Sequence, residues 1–434
     1  MPRIIRTLIL LVGLFLVITI PIRAQATSRI DVLTVKGTIN PVLTDYINRG
    51  IEQAEETGAH AVIIQMDTPG GLDTAMRDII QTLINARVPV IVYVAPAGSR
   101  AASAGTYITL AAHVAVMAPN TSIGAATPVQ LGGGEAEMSE ELKRKIINDA
   151  ISYIRDLASR HDRNADWAER AVREGISAGS QEALELNVVD MVSSDLNTLV
   201  AELDGRQVTL ISGQEITLST QGAFLNYVDM TIIEDLLYTI ADPNIAYLLL
   251  SLAMLGIMVE IFNPGLIFPG VVGAISLLLA FFSLGVLPVN WAGVLLIVLA
   301  FGLFVGEVLT TTFGLFTAGG VVSLVIGSLI LFQGASPVFR VDPWLIAGVT
   351  LSITGVIAFV INRAIRAHRK QATTGREELI GKRALVKTAL NPEGSVFYKG
   401  ELWSATSEGG TIEPGQEVII TKVDGLTLHV VKKQ

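Results

Sequence analysis

The sequence predicts an α/β domain with much parallel sheet, then a multi-span α-helical membrane domain, then a small all-β barrel. Apolar, β-branched runs alternate with helical patterns up to about residue 235. From Ile245 the chain is apolar for over a hundred residues, and the last stretch holds short alternating runs separated by turns. Half of the 434 residues are hydrophobic and the mean hydropathy is +0.54. This composition excludes a purely soluble protein.

The first 26 residues have the pattern of a signal peptide. Arg3 and Arg6 give a basic start, residues 8–20 form an apolar core, and Ala24-Gln25-Ala26 fits a small-x-small cleavage site. We expect cleavage near Ala26, with an uncleaved anchor as the alternative. In both cases the next domain is exported.

The first domain is predicted to span residues 28–235. Asn40 before Pro41, and Ser139 before two glutamates, are typical helix starts. Residues 29–240 hold 15 Lys and Arg against 28 Asp and Glu, a net charge of −13 that disfavours nucleic acid and anionic lipid as ligands. The predicted strands are residues 31–35, 61–66, 90–95, 114–117 and 188–192.

The candidate nucleophile is Ser103. It follows the apolar run at residues 90–95, lies in a loop of small residues, and precedes a helical pattern. Pro69-Gly70-Gly71 follows the apolar run at residues 61–66, and two glycines can aim a backbone N–H into open space. Together the two segments predict a serine facing an oxyanion hole.

A lysine is the expected base. His113 is ten residues from Ser103, about 15 Å along a helix. Lysine can act as a base when burial depresses its pKa. Lys143 and Lys145 are the candidates, although a solvated basic turn is the commoner fate of such a cluster. The glycine-rich stretch at 128–138 is either a surface loop or a mobile flap over the site.

The five histidines lack metal-ligand spacing and there is no cysteine, so we expect no metal and no cofactor.

The segments around Ser103 and Gly71 resemble the nucleophile and oxyanion loops of the signal-peptide-peptidase-A and ClpP-like serine proteases. The order of export signal, ClpP-like domain, spans and C-terminal domain is similar to the long form of the NfeD family. The resemblance implies a ClpP/crotonase-like fold and a Ser–Lys dyad of Ser103 and Lys145. It also implies that the oxyanion donors are the N–H groups of Gly71 and Ala104.

The family lysine opens a Lys-x-x-Asn helix ahead of a Gly-Arg-Asn segment. Lys145 and Asn148 fit the first part, whereas Asp162-Arg163-Asn164 departs from the second. Lys143 remains the fallback base.

The resemblance implies a membrane-anchored serine endopeptidase that cleaves apolar segments of membrane-associated proteins, such as a stomatin-like (SPFH) partner. We expect a homo-oligomer. The alternatives are a non-catalytic scaffold that organises stomatin-like proteins, or a crotonase-like acyl-CoA enzyme. Export argues against the second alternative, because CoA thioesters are cytoplasmic.

The membrane domain is predicted to span residues 242–362. Glu260 and Glu307, each followed by a glycine-rich segment, form an internal repeat. They are candidates for a function in the membrane, or lie at span ends in the headgroup layer. Basic residues after the last span put that end in the cytoplasm. Five spans are expected, at residues 245–262, 266–287, 291–309, 313–333 and 343–362.

Residues 376–434 are predicted to form five short strands in a closed barrel, and the NfeD resemblance implies an OB fold. Phe397, Tyr398 and Trp403 are interpreted as core residues, because no basic and aromatic stripe accompanies them. We expect this domain to bind protein, with no nucleic-acid partner.

Overall fold

The computed structural model describes residues 28–128, 139–310, 314–332, 337–369 and 379–433. The expected signal peptide and almost all of the glycine-rich stretch lie outside the described residues. The chain divides into two compact units. The first holds the α/β domain and most of the membrane helices, and the second holds the end of the last helix and the C-terminal barrel.

The α/β domain contains eleven strands and seven helices within the described residues. The strands are β1 (Arg29–Lys36), β2 (Ala61–Asp67), β3 (Val90–Val94), β4 (Arg100–Ala102), β5 (Val114–Met117), β6 (Ser122–Gly124), β7 (Ser177–Gly179), β8 (Met191–Val192), β9 (Gln207–Thr209), β10 (Glu215–Thr217) and β11 (Phe224–Tyr227). The helices are α1 (Pro41–Thr57), α2 (Asp73–Asn85), α3 (Ala104–Ala111), α4 (Glu140–Arg160), α5 (Ala165–Arg173), α6 (Ser180–Glu185) and α7 (Leu196–Glu202).

A six-stranded parallel sheet in the order β11-β1-β2-β3-β5-β8 forms the centre of this domain. All five residues of β3 are buried, which is why the central strands are continuous apolar runs in the sequence. The alternation of strands and helices is confirmed, as are the two helix starts. Asn40 Oδ1 accepts from the Leu43 N–H at 2.9 Å and Ser139 Oγ from the Leu142 N–H at 3.3 Å.

The fifth predicted strand is shorter than expected, since only Met191–Val192 of residues 188–192 pairs in the sheet. The three-residue strands β4, β6 and β7 form a separate small sheet that the sequence pattern does not predict. Strand β11 returns late in the chain to pair with β1 at the sheet edge.

Helix α8 (Ile232–Ile240) joins the α/β domain to the membrane helices. Its polar side contacts the α/β domain: Glu234 Oε2 lies 2.7 Å from Arg49 Nη2, and the Tyr238 hydroxyl donates to the Lys36 carbonyl at 2.8 Å. Ile232 and Ile233 are 89% and 69% exposed on the other side. An apolar face beside the first membrane helix is typical of a helix lying at a bilayer surface.

Five helices follow. Four of them are long and apolar enough to cross a membrane: α9 (Pro243–Phe262), α10 (Phe268–Val286), α11 (Trp291–Leu309) and the first 21 residues of α13 (Pro343–Arg369). The fourth predicted span is a shorter helix, α12 (Leu315–Ile330), of 16 residues. The apolar sequence at residues 313–333 extends beyond this helix, and the expected number of five spans remains a prediction.

The repeated glutamates hold the turns between membrane helices. Glu260 Oε1 accepts from the Gly265 N–H at 3.1 Å, in the turn between α9 and α10. Glu307 is buried, and its two oxygens accept from the N–H groups of Gly314 at 2.8 Å and Thr317 at 3.0 Å. Glu307 thus caps α12 and places negative charge at the N-terminus of that helix.

The C-terminal barrel is closed by five strands in the order β12-β13-β14-β16-β15, which confirms the all-β prediction. Tyr398 and Trp403 pack against its core, as expected. Phe397 does not: it is 38% exposed, and Lys387 Nζ lies 5.4 Å from its ring centroid. It precedes Tyr398 on β13, so its side chain points to the opposite face of the strand. The strands are β12 (Arg383–Thr388), β13 (Glu393–Tyr398), β14 (Glu401–Ser407), β15 (Glu417–Asp424) and β16 (Thr427–Lys432).

The Asp162-Arg163-Asn164 segment fixes the C-terminal end of α3, the helix that begins after Ser103. The Arg163 side chain is 1% exposed, donates to the Leu110 carbonyl at 2.7 Å and pairs with Asp190 Oδ2 at 2.7 Å. Asp162 has φ 55°, a backbone conformation that favours glycine. The departure from Gly-Arg-Asn therefore falls at a strained turn, and Asn164 caps α5 through the Trp167 N–H at 2.9 Å.

We expect Arg163→Ala to destabilise the protein by about 3–5 kcal/mol, because it leaves the Asp190 carboxylate and two helix carbonyls without their cation. Arg170→Ala, which breaks an exposed pair with Glu174, should change the stability little. Denaturant unfolding in detergent measures both variants. Equal stability of the two would contradict the structural role of Arg163.

His113 and His161 lie beside this arginine, with ring centroids 5.9 Å apart. Burial, and next the charge of Arg163, lowers the pKa of each histidine to about 4. An unfolded histidine titrates near pH 6.5, so the unfolded state takes up protons first as the pH falls. The two neutral histidines therefore do not reduce the free energy of unfolding above about pH 6.5. As the pH falls from there to about 4, the free energy of unfolding decreases.

We therefore expect His161→Gln to reduce the loss of thermal stability between pH 7 and pH 5. His60→Gln, at an exposed position, is the control and should leave that loss unchanged. The measurement is the midpoint of thermal unfolding at both pH values. An identical loss in wild type and His161→Gln would contradict the assignment.

Candidate active site

Ser103 occupies a sharp turn between β4 and α3. Its backbone has φ 51° and ψ −117°, an unfavourable conformation for a residue with a side chain. The turn is held from both sides: the Ser103 N–H donates to the Gly124 carbonyl at 3.0 Å, and the buried Thr106 hydroxyl donates to the carbonyls of Ala101 and Gly124, each at 2.9 Å. Strain maintained by such contacts is typical of functional positions.

The loop after β2 pairs with the strand that carries Ser103. The Thr68 N–H donates to the Arg100 carbonyl at 2.7 Å, and the Ala102 N–H donates back to the Thr68 carbonyl at 3.1 Å. Gly70 has φ 116°, and a Cβ there would come within 2.7 Å of Ser103 Cβ. Only glycine fits this position, and the structure brings together the two segments that the sequence analysis singled out.

Gly71 and Ala104 are the predicted oxyanion donors. The residues on either side of Gly71 are hydrogen-bonded to Ile39: the Ile39 N–H donates to the Gly70 carbonyl and the Leu72 N–H donates to the Ile39 carbonyl, both at 2.9 Å. Neither bond uses the Gly71 N–H. Ala104 is the first residue of α3. Within the described residues neither N–H has a backbone partner, so both can donate to a ligand.

A cavity of about 500 Å³ contains all four predicted site residues in its wall: Ser103, Ala104, Gly71 and Lys145. Lys143 is absent from this wall, and His113 follows the other end of α3, where its Nδ1 accepts from the Val90 N–H at 3.2 Å. The remaining lining residues are Asp73, Met76, Arg77, Tyr107, Ala126, Pro128, Ile146, Asp149, Ala150 and Phe339.

Lys145 lies on α4 with its side chain 72% exposed, and its Nζ is 3.2 Å from Glu141 Oε1. In the part of the chain that is described, no hydrogen bond joins Lys145 to the Ser103 hydroxyl. Glu141 and Lys145 are one helical turn apart on an exposed surface, and ion pairs of this kind are weak. The lysine is therefore free to leave Glu141.

Sequence reasoning missed the charged side of the cavity. Arg77 bridges Asp73 and Asp149, each at 2.8 Å, and its guanidinium lies 4.6 Å from the centroid of the Tyr153 ring. Burial raises the pKa of the neighbouring Tyr107, so this phenol stays neutral. The Asp73–Arg77 spacing of one helical turn was a readable signal, and Asp149 lies one turn after Lys145.

Three family models match the chain in succession. They are described as the NfeD1b N-terminal domain at residues 29–208, the NfeD integral membrane domain at residues 244–363, and the NfeD-like C-terminal, partner-binding domain at residues 376–432.

Two whole-length relatives and one solved structure are similar to this chain. A membrane-bound protease of Pyrococcus horikoshii, PH1510, is 40% identical, with 94% of each chain covered. The membrane protein NfeD1b of Bacillus subtilis is 27% identical, with 97% of each covered. A 1510-N membrane-bound stomatin-specific protease, solved as a lysine-to-alanine mutant with a substrate peptide, is 37% identical with a TM-score of 0.47; the match covers 50% of this chain and 98% of that one. On the whole-length identity and the three domain matches, this chain belongs to the NfeD family.

Proposed function

We propose that this membrane-bound serine protease uses Ser103 as nucleophile, Lys145 as general base, and the N–H groups of Gly71 and Ala104 as oxyanion hole. The observation that carries the proposal is that one cavity of about 500 Å³ is lined by all four residues. Ser103 lies in its strained turn beside the two N–H groups, and Lys145 comes from a separate helix.

Neutral Lys145 takes the proton of the Ser103 hydroxyl as Oγ attacks the scissile carbonyl carbon. The carbonyl oxygen becomes an oxyanion that accepts from the Gly71 and Ala104 N–H groups. The Lys145 ammonium then protonates the leaving amine, which departs and leaves an ester on Ser103. Lys145 next removes a proton from water, the hydroxide attacks the ester, and the carboxyl product leaves as Ser103 regains its proton.

Substrate binding completes the site in this proposal. Lys145 first breaks its pair with Glu141 and turns into the cavity. An apolar peptide that covers the cavity excludes water, and a desolvated ammonium loses its proton more readily. A base that is mostly exposed in the free protein thereby becomes more active when substrate covers the cavity.

The substrate we propose is an apolar segment of a membrane-associated protein, such as a stomatin-like partner. The solved relative is a stomatin-specific protease, and Met76 and Ile146 give the cavity apolar surface. The exposed apolar face of α8 supports a site held close to the bilayer.

Ser103→Ala is expected to lower the rate of cleavage of apolar peptides by at least about a thousandfold, since the Ser103 hydroxyl supplies the attacking oxygen in the proposed mechanism. The variant should insert and unfold like wild type, because the hydroxyl of Ser103 is not part of the turn's hydrogen bonds. Turnover is measured on purified protein in detergent. Comparable turnover by the variant would rule out this mechanism.

Lys145→Ala should likewise abolish cleavage, whereas Lys143→Ala, the matched control outside the cavity wall, should keep most of it. Wild-type cleavage should also rise with pH into the alkaline range, because the base must be neutral to accept a proton. Loss of activity in Lys143→Ala alone would show that the base is Lys143 and not Lys145. Full activity in both variants would show that neither lysine is the base and would contradict the Ser–Lys mechanism.

We further propose that the protease domain lies outside the cytoplasm and the C-terminal barrel inside. Helix α12 supports this: its first turn contacts Glu307 near the end of α11, and the Leu331 carbonyl after it accepts from the Asn290 N–H at 2.8 Å before α11 begins. Although short, α12 runs back along α11. The chain then crosses five times, which agrees with the basic residues after the last span.

Protease added to the cytoplasmic side of inverted membrane vesicles should cut residues 379–433 and spare residues 28–235. Fragment masses identify the protected domain, and detergent-lysed vesicles are the control in which both are cut. Protection of both domains together would show an even number of crossings, with α12 not spanning.

A further inference from the structure

The cavity around Ser103 receives one side chain from the membrane domain. Phe339 ends a single 3₁₀ turn, Pro337–Phe339, between α12 and α13, and lines the cavity with Ser103 and Lys145. Among the described residues, every other lining residue comes from the α/β domain. The wall of the candidate active site is therefore incomplete without the membrane half of the chain.

Phe339 is held firmly in place. Its side chain is 1% exposed, so it is packed on nearly all sides, and Val341 beside it is buried. The Asp342 N–H donates to Asn244 Oδ1 at 2.8 Å, which ties this connection to the first turn of α9. Asp342 Oδ1 also accepts from the Trp344 N–H at 2.7 Å at the start of α13. These contacts tie the connection beside Phe339 to α9 and α13, which holds this part of the cavity wall in place.

The cavity has two chemically different sides. Arg77, Asp73 and Asp149 form a charged side. Phe339 belongs to a set of apolar lining residues that includes Met76 and Ile146. An apolar substrate side chain that covered the charged side would desolvate these charged groups, which costs free energy. We therefore expect it to bind against the apolar side.

We propose that Phe339 is a specificity-determining residue that limits the size of the apolar substrate side chain accepted beside the scissile bond. The inference rests on the proposed role of this cavity in peptide cleavage. A fixed side chain at this position reduces the room for a bulky substrate side chain, because overpacking a fixed site is destabilising, and a smaller residue there enlarges that room. The membrane domain thereby sets part of the selectivity of the protease.

The test uses the full-length protein in detergent. A peptide cut by wild type is first selected from a mixture of apolar peptides, and each position near the cut is then replaced by leucine or tryptophan. The measured quantity is the ratio of kcat/KM for the tryptophan peptide to that for the leucine peptide. Phe339→Ala should raise this ratio by about tenfold or more at one position. Phe339→Leu should raise it by less.

Val338→Ala is the matched control, since Val338 belongs to the same turn and is only half-buried outside the cavity wall. It should leave the ratio unchanged. An unchanged ratio in Phe339→Ala, or an equal loss of cleavage for both peptides, would overturn the proposal, because a merely structural role affects both peptides alike. Cleavage that persists in Ser103→Ala would instead refute the proposed function itself.

Discussion

The candidate site depends on the pairing of Thr68 with β4. Two backbone hydrogen bonds, from the Thr68 N–H to Arg100 and from the Ala102 N–H to Thr68, fix the oxyanion loop against the residues that precede Ser103. This pairing brings Gly70 so close to Ser103 that no side chain fits between them. The proposed nucleophile and its two proposed N–H donors are thus positioned before any substrate binds.

Side-chain contacts at both ends of α3 stabilise this arrangement. Arg163 binds the last carbonyls of the helix and the Asp190 carboxylate in a buried cluster, while Thr106 holds the first turn. A short helix fixed at both ends keeps the strained backbone of Ser103 from relaxing. The proposed base is placed differently: Lys145 lines the cavity from an exposed helix surface, where it pairs with Glu141.

Features that depend on local patterns were predictable from the sequence. Buried parallel strands such as β3 are unbroken apolar runs, and the caps at Asn40 and Ser139 follow from side-chain chemistry. Strands β4, β6 and β7 were missed because three residues carry no periodicity and their pairing is tertiary. Phe339 could not be predicted, since no local signal links a membrane-domain turn to Ser103. The length of α12 could not be predicted, because hydropathy does not mark where a helix ends.

The central claim is that Ser103 is an activated nucleophile. A fluorophosphonate probe forms a covalent bond with a serine oxygen that has lost its proton to a base, and mass spectrometry locates the labelled residue. Our account predicts labelling at Ser103 in the full-length protein, its loss in Lys145→Ala, and faster labelling when an apolar peptide covers the cavity without occupying the serine. Labelling at another residue, or none at Ser103 under any of these conditions, would contradict it.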